Sequence, residues 1–469
     1  MRNFKSSVAG TPKADLSRRS FLRRAIGSGV AGLVFSCVGR SAEAGRKPNI
    51  VLMFLDNIGY GDLGCYGNRD MKTPRIDQLA TEGVRCTDFY VASPSCMPSR
   101  GALLTGRHPV RTGLNEQISR IDSREQIALP HKEVLLPRYL AKAGYVSGCF
   151  GKWNIGFASG SRPTDRGFGE YLGNISGNCD YYTYDYNGRH DLYHNTEPVE
   201  VEGYSTYVFA DAACEFIERN KDWPFFCYVP FNAAHFPNPR NKPPGAPCLW
   251  QAPDEVFVRY GYSPTTLDER QRYRAVVTAL DDGVGRVLDQ IDRLNLTKET
   301  IVIVLSDNGA FMIPARGLEC ASNRPLRGGG VTLWEGGIRV PCIVRWPERI
   351  KPGTVCREPL VSMDFVPMAL RAAGVALPSD RLLDGKDPTA ALAGDARSPH
   401  QYLYWRWGPK STAIRMGRYK LLREQQSTNQ SWQLFDLETD IGETANLVSA
   451  KPELAKKLEA EFKRWEKAI

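Results

Sequence analysis

The chain has 469 residues, 42% hydrophobic and 24% charged, a globular composition with room for a large core and a second domain. Its formal charge of +9 is concentrated at the start, where residues 1–44 hold eight Lys or Arg against two acidic residues, leaving only +3 on the remainder. That distribution, without a basic helix carrying interleaved aromatics, argues against nucleic acid as a partner.

The first segment reads as a leader. "DLSRRSFLRR" is followed by "AIGSGVAGLVFSCV" and then "SAEAG", a basic stretch, a short apolar stretch and small residues near Ala44 where a peptidase can cut. Arg18 and Arg19 before Ser20, Phe21 and Leu22 resemble a twin-arginine export signal. The expectation is a signal peptide over 1–44, passage through the twin-arginine export machinery after cytoplasmic folding, and a periplasmic or secreted destination. Lipid anchoring at Cys37 and a single membrane anchor are the alternatives, although the apolar run is short for a span. The mature chain shows no transmembrane segment. Of twelve cysteines, eleven lie beyond the leader, and an odd number leaves at least one thiol unpaired within a monomer.

Four apolar runs read as core strands: "NIVLMFL" at 49–55, "GYVSGCF" at 144–150, "PFFCYVPF" at 224–231 and "TIVIVL" at 300–305. A long helical pattern covers 268–294. The alternation predicts an α/β fold with a large, mostly parallel sheet flanked by helices, a catalytic domain over 45–370, whose ligands gather beyond the carboxyl ends of the strands. From about 371 to 469 the texture changes to short aromatic segments and a charged helix at about 450–467, predicting a small antiparallel sheet with one helix.

Polar residues follow each predicted strand. Asp56 and Asn57 end one, and Asp307 and Asn308 end another. Together they suit a hard cation such as calcium or magnesium, while loop capping is the alternative. In "SPSCMPSRGALLTGRHP", Pro98 suits a first helical turn and Gly106 can stop the helix, which places Cys96 at its positive end. Arg100 lies one turn on. Lys152 and Arg327 supply positive charge, and His235 can donate a proton to a leaving oxygen. Such a set points to transfer of an oxyanion group, sulfate or phosphate; a packing role is the alternative for Cys96 and His235 alike.

At these residues the chain resembles the formylglycine-dependent, arylsulfatase-like sulfatases of the alkaline phosphatase superfamily. "CMPSR" followed by "LLTGR" matches their modification signature, and "PNIVLMFLDNIGYGDLGCYG", "GYVSGCFGKWNIG", "SDNG" and "NRPLRGGGVTLWEGGIRVP" resemble further family blocks in order. The resemblance implies that Cys96 is converted to formylglycine by a formylglycine-generating or cysteine-type sulfatase-maturing enzyme. It further implies that Asp56, Asn57, Asp307 and Asn308, with residue 96, bind calcium in preference to magnesium. Arg100 and Lys152 would orient the nucleophile, and Lys152, His235 and Arg327 would contact the substrate, a sulfated carbohydrate or a small sulfate ester.

Asn57 stands where the family usually has Asp, Asn154 where a histidine is usual, Gly330 where a lysine usually touches sulfate, and Met97 at a variable signature position. The few histidines available as substitutes include His108, His190 and His194. A weak or inactive sulfated-glycan-binding protein and a phosphoester or phosphonate hydrolase remain as alternatives to a sulfatase. The loop "GNCDYYTYDYNGRHDLYHN" at 177–195 offers tyrosines for stacking on a sugar or an aryl group, or for loop packing.

Overall fold

The computed structural model describes residues 46–117, 128–236, 249–312, 319–424 and 431–469, so the expected leader lies outside the described residues. Ten strands form the main sheet: β1 (Asn49–Leu55), β2 (Val84–Cys86), β3 (Val146–Phe150), β4 (Glu170–Gly173), β5 (Tyr193–His194), β6 (Glu197–Pro198), β7 (Phe225–Pro230), β8 (Thr300–Ser306), β9 (Cys342–Arg345) and β10 (Thr354–Cys356). Their order across the sheet is β10-β2-β9-β8-β1-β7-β3-β4-β5-β6. The central neighbours β8, β1, β7, β3 and β4 run parallel, as the continuous apolar runs predict, and β9 and β5 pair antiparallel at either side.

Period-two geometry divides β1 between two cores. Val51, Met53 and Leu55 face the layer holding α3 (Ser205–Arg219) and α4 (Glu269–Arg293). Ile50, Leu52 and Phe54 face the opposite layer, with α2 (Cys96–Thr105) and α5 (Phe365–Ala372). Each such side chain, fully buried, contributes roughly 1.5–3 kcal/mol, and this two-sided burial holds the strand ends in fixed register. Helix α4 starts where Asp268 accepts from the amides of Arg270 (2.8 Å) and Gln271 (3.3 Å), which makes it the N-cap. None of the helices among the described residues is long and apolar enough to cross a membrane.

A separate antiparallel sheet follows, in the order β11 (Leu403–Trp407), β12 (Ser411–Met416), β13 (Tyr419–Arg423) and β14 (Gln433–Asp436). One face, through Ile414, Leu421 and Leu434, packs on Leu458 and Phe462 of α6 (Pro452–Ala468). Trp405, Ala413, Leu422 and Phe435 on the other face pack on Tyr90, Trp334 and Ile338.

Buried charge pins this second sheet to the main body. Lys420 lies 2.8 Å from both Glu335 and Glu443, and all three are buried. Tyr90 donates to Glu335 (2.6 Å), while Arg415 grips Asp88 (2.6 Å) and contacts Tyr90. Burial works against ionisation of both Glu335 and Glu443; Lys420, with Arg339, overcomes it at Glu335 and holds that carboxyl well below its usual range. Removing the cation leaves buried carboxylates uncompensated, so Lys420→Met should lower stability by about 3–5 kcal/mol in urea unfolding. An unchanged midpoint would mean that the network contributes nothing.

Candidate active site

Parallel pairing of β1 with β8 sets Leu55 opposite Ser306, so the next residues, Asp56 and Asp307, emerge side by side. Asn57 and Asn308 follow them, and all four side chains are buried. The Asn57 amide donates to Asp307 Oδ1 (3.1 Å), and Asn308 Nδ2 donates to Asn57 Oδ1 (2.7 Å). Asn57 takes φ +58°, a left-handed conformation that Asn and Asp tolerate better than most side chains.

Two cations enter from neighbouring elements. Arg100, on α2, reaches Asp307 (2.7 Å) and Asp56 (3.4 Å), and its other nitrogen donates to the Lys152 carbonyl (3.1 Å). Lys152, just past β3, pairs with Asp56. Burial opposes the Arg100 charge, but Asp307 and Asp56 outweigh it and hold the guanidinium above its ordinary pKa. At Asp307 burial prevails over Arg100 and Lys152, and with repulsion from Asp56 it lifts the carboxyl.

Asp56 Oδ1 and Asn308 Oδ1 are buried with no hydrogen-bond partner. Unpartnered buried oxygens carry a desolvation penalty that a cation would remove, and an all-oxygen set suits calcium or magnesium. No group of three His, Cys, Asp or Glu arranged for a metal occurs among the described residues. This donor set is instead two carboxylates and two carboxamides.

Cys96 is the first residue of α2, which ends at Gly106 (φ 70°) as the sequence predicts. Its sulfur accepts from Asn154 Nδ2 (3.3 Å) and donates to Gln117 Oε1 (3.5 Å). Burial pushes the thiol up, with Lys152 pulling the other way and Asp56 adding to the rise. Gln117 Oε1 also accepts from Ser95 Oγ (3.0 Å) and the Met97 amide (3.3 Å), so it caps α2 from a distant loop. No spacing rule in the sequence marks Gln117. Asn154 sits at φ +54°, a left-handed conformation that Asn tolerates better than most side chains.

His235 lies beyond β7, with Nδ1 2.9 Å from the Phe236 carbonyl. A carbonyl only accepts, so Nδ1 carries the proton and Nε2 of the neutral ring is an acceptor. Burial, helped by Lys152, pushes this histidine down to about 3.

Three expectations change on inspection. Arg327 is exposed, donates to the Glu443 carbonyl (2.7 Å) and stacks on Trp334 (3.7 Å), and no described contact joins it to the acidic cluster. The substitute histidines lie elsewhere: His108 bonds the Tyr404 carbonyl, His190 the Val199 carbonyl, and His194 sits on β5 near Glu170 and Arg219. In the 177–195 loop Tyr181, Tyr184 and Tyr193 are core residues, whereas Tyr182 is 40% exposed.

Gly330 has a structural reason. A Cβ there would meet the Phe311 ring at 2.7 Å and the Gly309 carbonyl at 3.0 Å. Phe311 in turn packs on Phe236 (5.5 Å between centroids), which packs on His235 (4.3 Å). Phe311, Phe236 and His235 therefore form a run of ring contacts beside Gly330.

A family model described as Sulfatase matches residues 48–375, and one described as N-sulphoglucosamine sulphohydrolase, C-terminal, matches 331–468. The N-acetylgalactosamine-6-sulfatase of Canis lupus familiaris is 35% identical over 410 residues, covering 83% of this chain and 74% of that protein. The solved structure of Ps i-CgsB in complex with k-i-k-neocarrahexaose superposes with a TM-score of 0.79 at 30% identity, covering 90% of this chain and 93% of that chain. The PsFucS1 sulfatase from Pseudoalteromonas sp. gives a TM-score of 0.75 at 27% identity, covering 90% of each chain.

Two outcomes are expected. His235 should show no titration between about pH 5 and 8 in NMR spectra of the metal-free protein. The unfolded chain takes up a proton near pH 6.5 that the folded ring refuses until about pH 3, so this residue's contribution is present above 6.5 and lost as pH falls. A midpoint near 6.5 would overturn the buried-neutral assignment. Gly330→Ala should lower stability by about 1–3 kcal/mol through overpacking against Phe311, and Gly330→Lys by more, in denaturant melts. A neutral Gly330→Lys variant would show that Phe311 moves aside freely.

Proposed function

The chain belongs to the sulfatase family and is a sulfuric ester hydrolase, and from that premise we propose that it cleaves sulfate esters of carbohydrates using a formylglycine made from Cys96 and a bound calcium ion. The observation that carries this reading is the placement of Cys96: it opens a helix, is held by Asn154 and Gln117, and shares its electrostatic surroundings with Asp56, Asp307, Lys152 and Arg100.

The hydrated aldehyde of formylglycine supplies a nucleophilic oxygen that a buried, protonated thiol lacks. Asp56, Asn57, Asp307 and Asn308, with residue 96, would hold calcium, which would supply Lewis-acid charge at the reacting centre. Arg100 and Lys152 pair with the carboxylates and hold them in position, and Lys152 adds charge facing the sulfate. His235, neutral with Nε2 as an acceptor, would take the proton that the attacking hydroxyl of residue 96 gives up and pass it to the ester oxygen as the alcohol leaves. Asn154 and Gln117 fix residue 96 through amide hydrogen bonds. A carboxamide is no base at neutral pH, so proton transfer at position 154 falls to water or to His235. Arg327 reaches the substrate only through distal parts of a long ligand.

Carbohydrate is favoured because relatives and neighbours include an N-acetylgalactosamine-6-sulfatase and a structure bound to neocarrahexaose. Small aryl sulfates serve as laboratory surrogates. The same proposal includes a twin-arginine signal over 1–44, a catalytic domain over 45–370, a C-terminal subdomain over 371–469, a periplasmic or secreted location, and a maturing enzyme that acts before export.

Peptide mass spectrometry across residue 96 of protein from the native host should show formylglycine. Cys96→Ala should lower sulfate-ester turnover by about a thousandfold or more with the fold retained. Calcium should raise the unfolding midpoint of the chelated protein, and Asp307→Asn should remove that rise. Unmodified Cys96 in fully matured native protein would overturn the nucleophile assignment, and a calcium-independent midpoint the metal assignment.

A further inference from the structure

Three cysteines with no part in the reaction lie on adjacent strands at one side of the main sheet. In β2, Cys86 is paired in register with Cys356 of β10 on one flank and with Cys342 of β9 on the other. All three belong to the apolar cluster that contains Ile50, Leu52 and Phe54, so they share one face. The Cys86 thiol is within hydrogen-bonding reach of both partners, and all three are free thiols in the structure. Neighbouring strands lie about 4.7–4.9 Å apart and disulfides form across Cα separations of about 4.4–6.8 Å, so the register brings Cys86 and Cys356 within range once their Cβ atoms close to about 3.5–4.5 Å.

The two flanks differ in access. Cys342 is fully buried on the inner side. Cys356 lies on the sheet's edge strand and lines a surface cavity of about 460 Å³ with Arg357, Glu358, Ala391 and Arg397. Its sulfur is itself buried and donates to the Ala391 carbonyl at 3.5 Å, so an oxidant reaches it only as the edge strand opens toward that cavity.

We propose that Cys86 and Cys356 form a redox-active pair that closes to a disulfide when the folded chain meets a disulfide oxidant, either a small-molecule disulfide or a dithiol oxidoreductase, while Cys342 stays a thiol. Cys356 loses its proton and attacks the oxidant's S–S bond, forming a mixed disulfide and releasing one thiol. Cys86 then loses its proton and attacks Cys356 Sγ, forming the internal bond and releasing the oxidant's second thiol. The pair gives up two protons and two electrons, and the oxidant's disulfide becomes two thiols. Cys86, through Cys342 and burial with Cys356 pulling the other way, and Cys356, through Cys86 and burial, are both pushed well up, so closure is slow, on the order of hours. The bond ties the edge strand to its neighbour, where a sheet is most exposed to unwanted pairing. It stands apart from the catalytic reading and is tested without it.

The test exposes the full-length purified protein to oxidised glutathione, then unfolds, alkylates and digests it for mass spectrometry. A Cys86–Cys356 linked peptide, two fewer alkylated thiols and a higher urea midpoint that dithiothreitol reverses are expected. Cys342→Ser should form the same link, and Cys356→Ser should not. Full alkylation after prolonged oxidation, glutathione retained on Cys356 without closure, or a link to Cys342 alone would each overturn the proposal.

Discussion

The structure depends on four charges placed out of water at the carboxyl ends of parallel strands. Asp56 and Asp307 stand together because β1 and β8 are in register, and two buried carboxylates side by side are tolerated only with Arg100 and Lys152 against them. The four charges sum to zero, yet two oxygens of the cluster remain without partners. With the divalent cation of the proposed reading in place, the net charge becomes +2, suited to holding an anionic sulfate ester and to stabilising charge that develops on it. Hydrophobic burial on both faces of the sheet is what prevents the cluster from relaxing into water.

Support for this cluster extends into the C-terminal sheet. Gly309, next to Asn308, lies so close to the Gly336 carbonyl that a Cβ would fall 1.7 Å from it. Gly336 follows Glu335, the carboxylate held by Lys420 of β13 and by Tyr90. The loop after β8 is therefore braced by a segment whose own position is set by buried charges from another sheet. Removal of that sheet would strand Glu335 and loosen the backing of Asn308, so the small sheet acts on the site through packing and not through direct contact with it.

Much of this was legible in the sequence, for identifiable reasons. Two-sided burial leaves continuous apolar runs, so β1, β3, β7 and β8 and the polar residues after them could be read directly. The start of α2 at Cys96 and its end at Gly106 follow from Pro98 and a glycine stop. Contacts set by register between distant segments left no local trace. Gln117 caps α2 from a loop, Phe311 fills the space beside Gly330, and Cys86 meets Cys342 and Cys356 across strands. Arg327 looked like a site cation because it is basic and near a glycine run, but the Trp334 face and the Glu443 carbonyl hold it outward. The histidines His108, His190 and His194 failed as substitutes because composition says nothing about where a residue lies.

Gly330 and Asn154 add no charge beside the buried cluster: one leaves room for the Phe311 ring, and the other donates to Cys96. Phe311, Phe236 and the His235 ring form a continuous apolar wall, while Asn154 and Gln117 supply neutral hydrogen bonds to residue 96. Charge is thereby concentrated on the inner side, where Arg100, Lys152 and the acidic pairs lie, and withdrawn from the rim. A sulfate anion entering such a site is drawn inward by a few fixed charges, and the group bearing it meets aromatic surface. Sugar rings present apolar C–H faces to aromatic planes, so this arrangement suits the carbohydrate ester of the proposed reading.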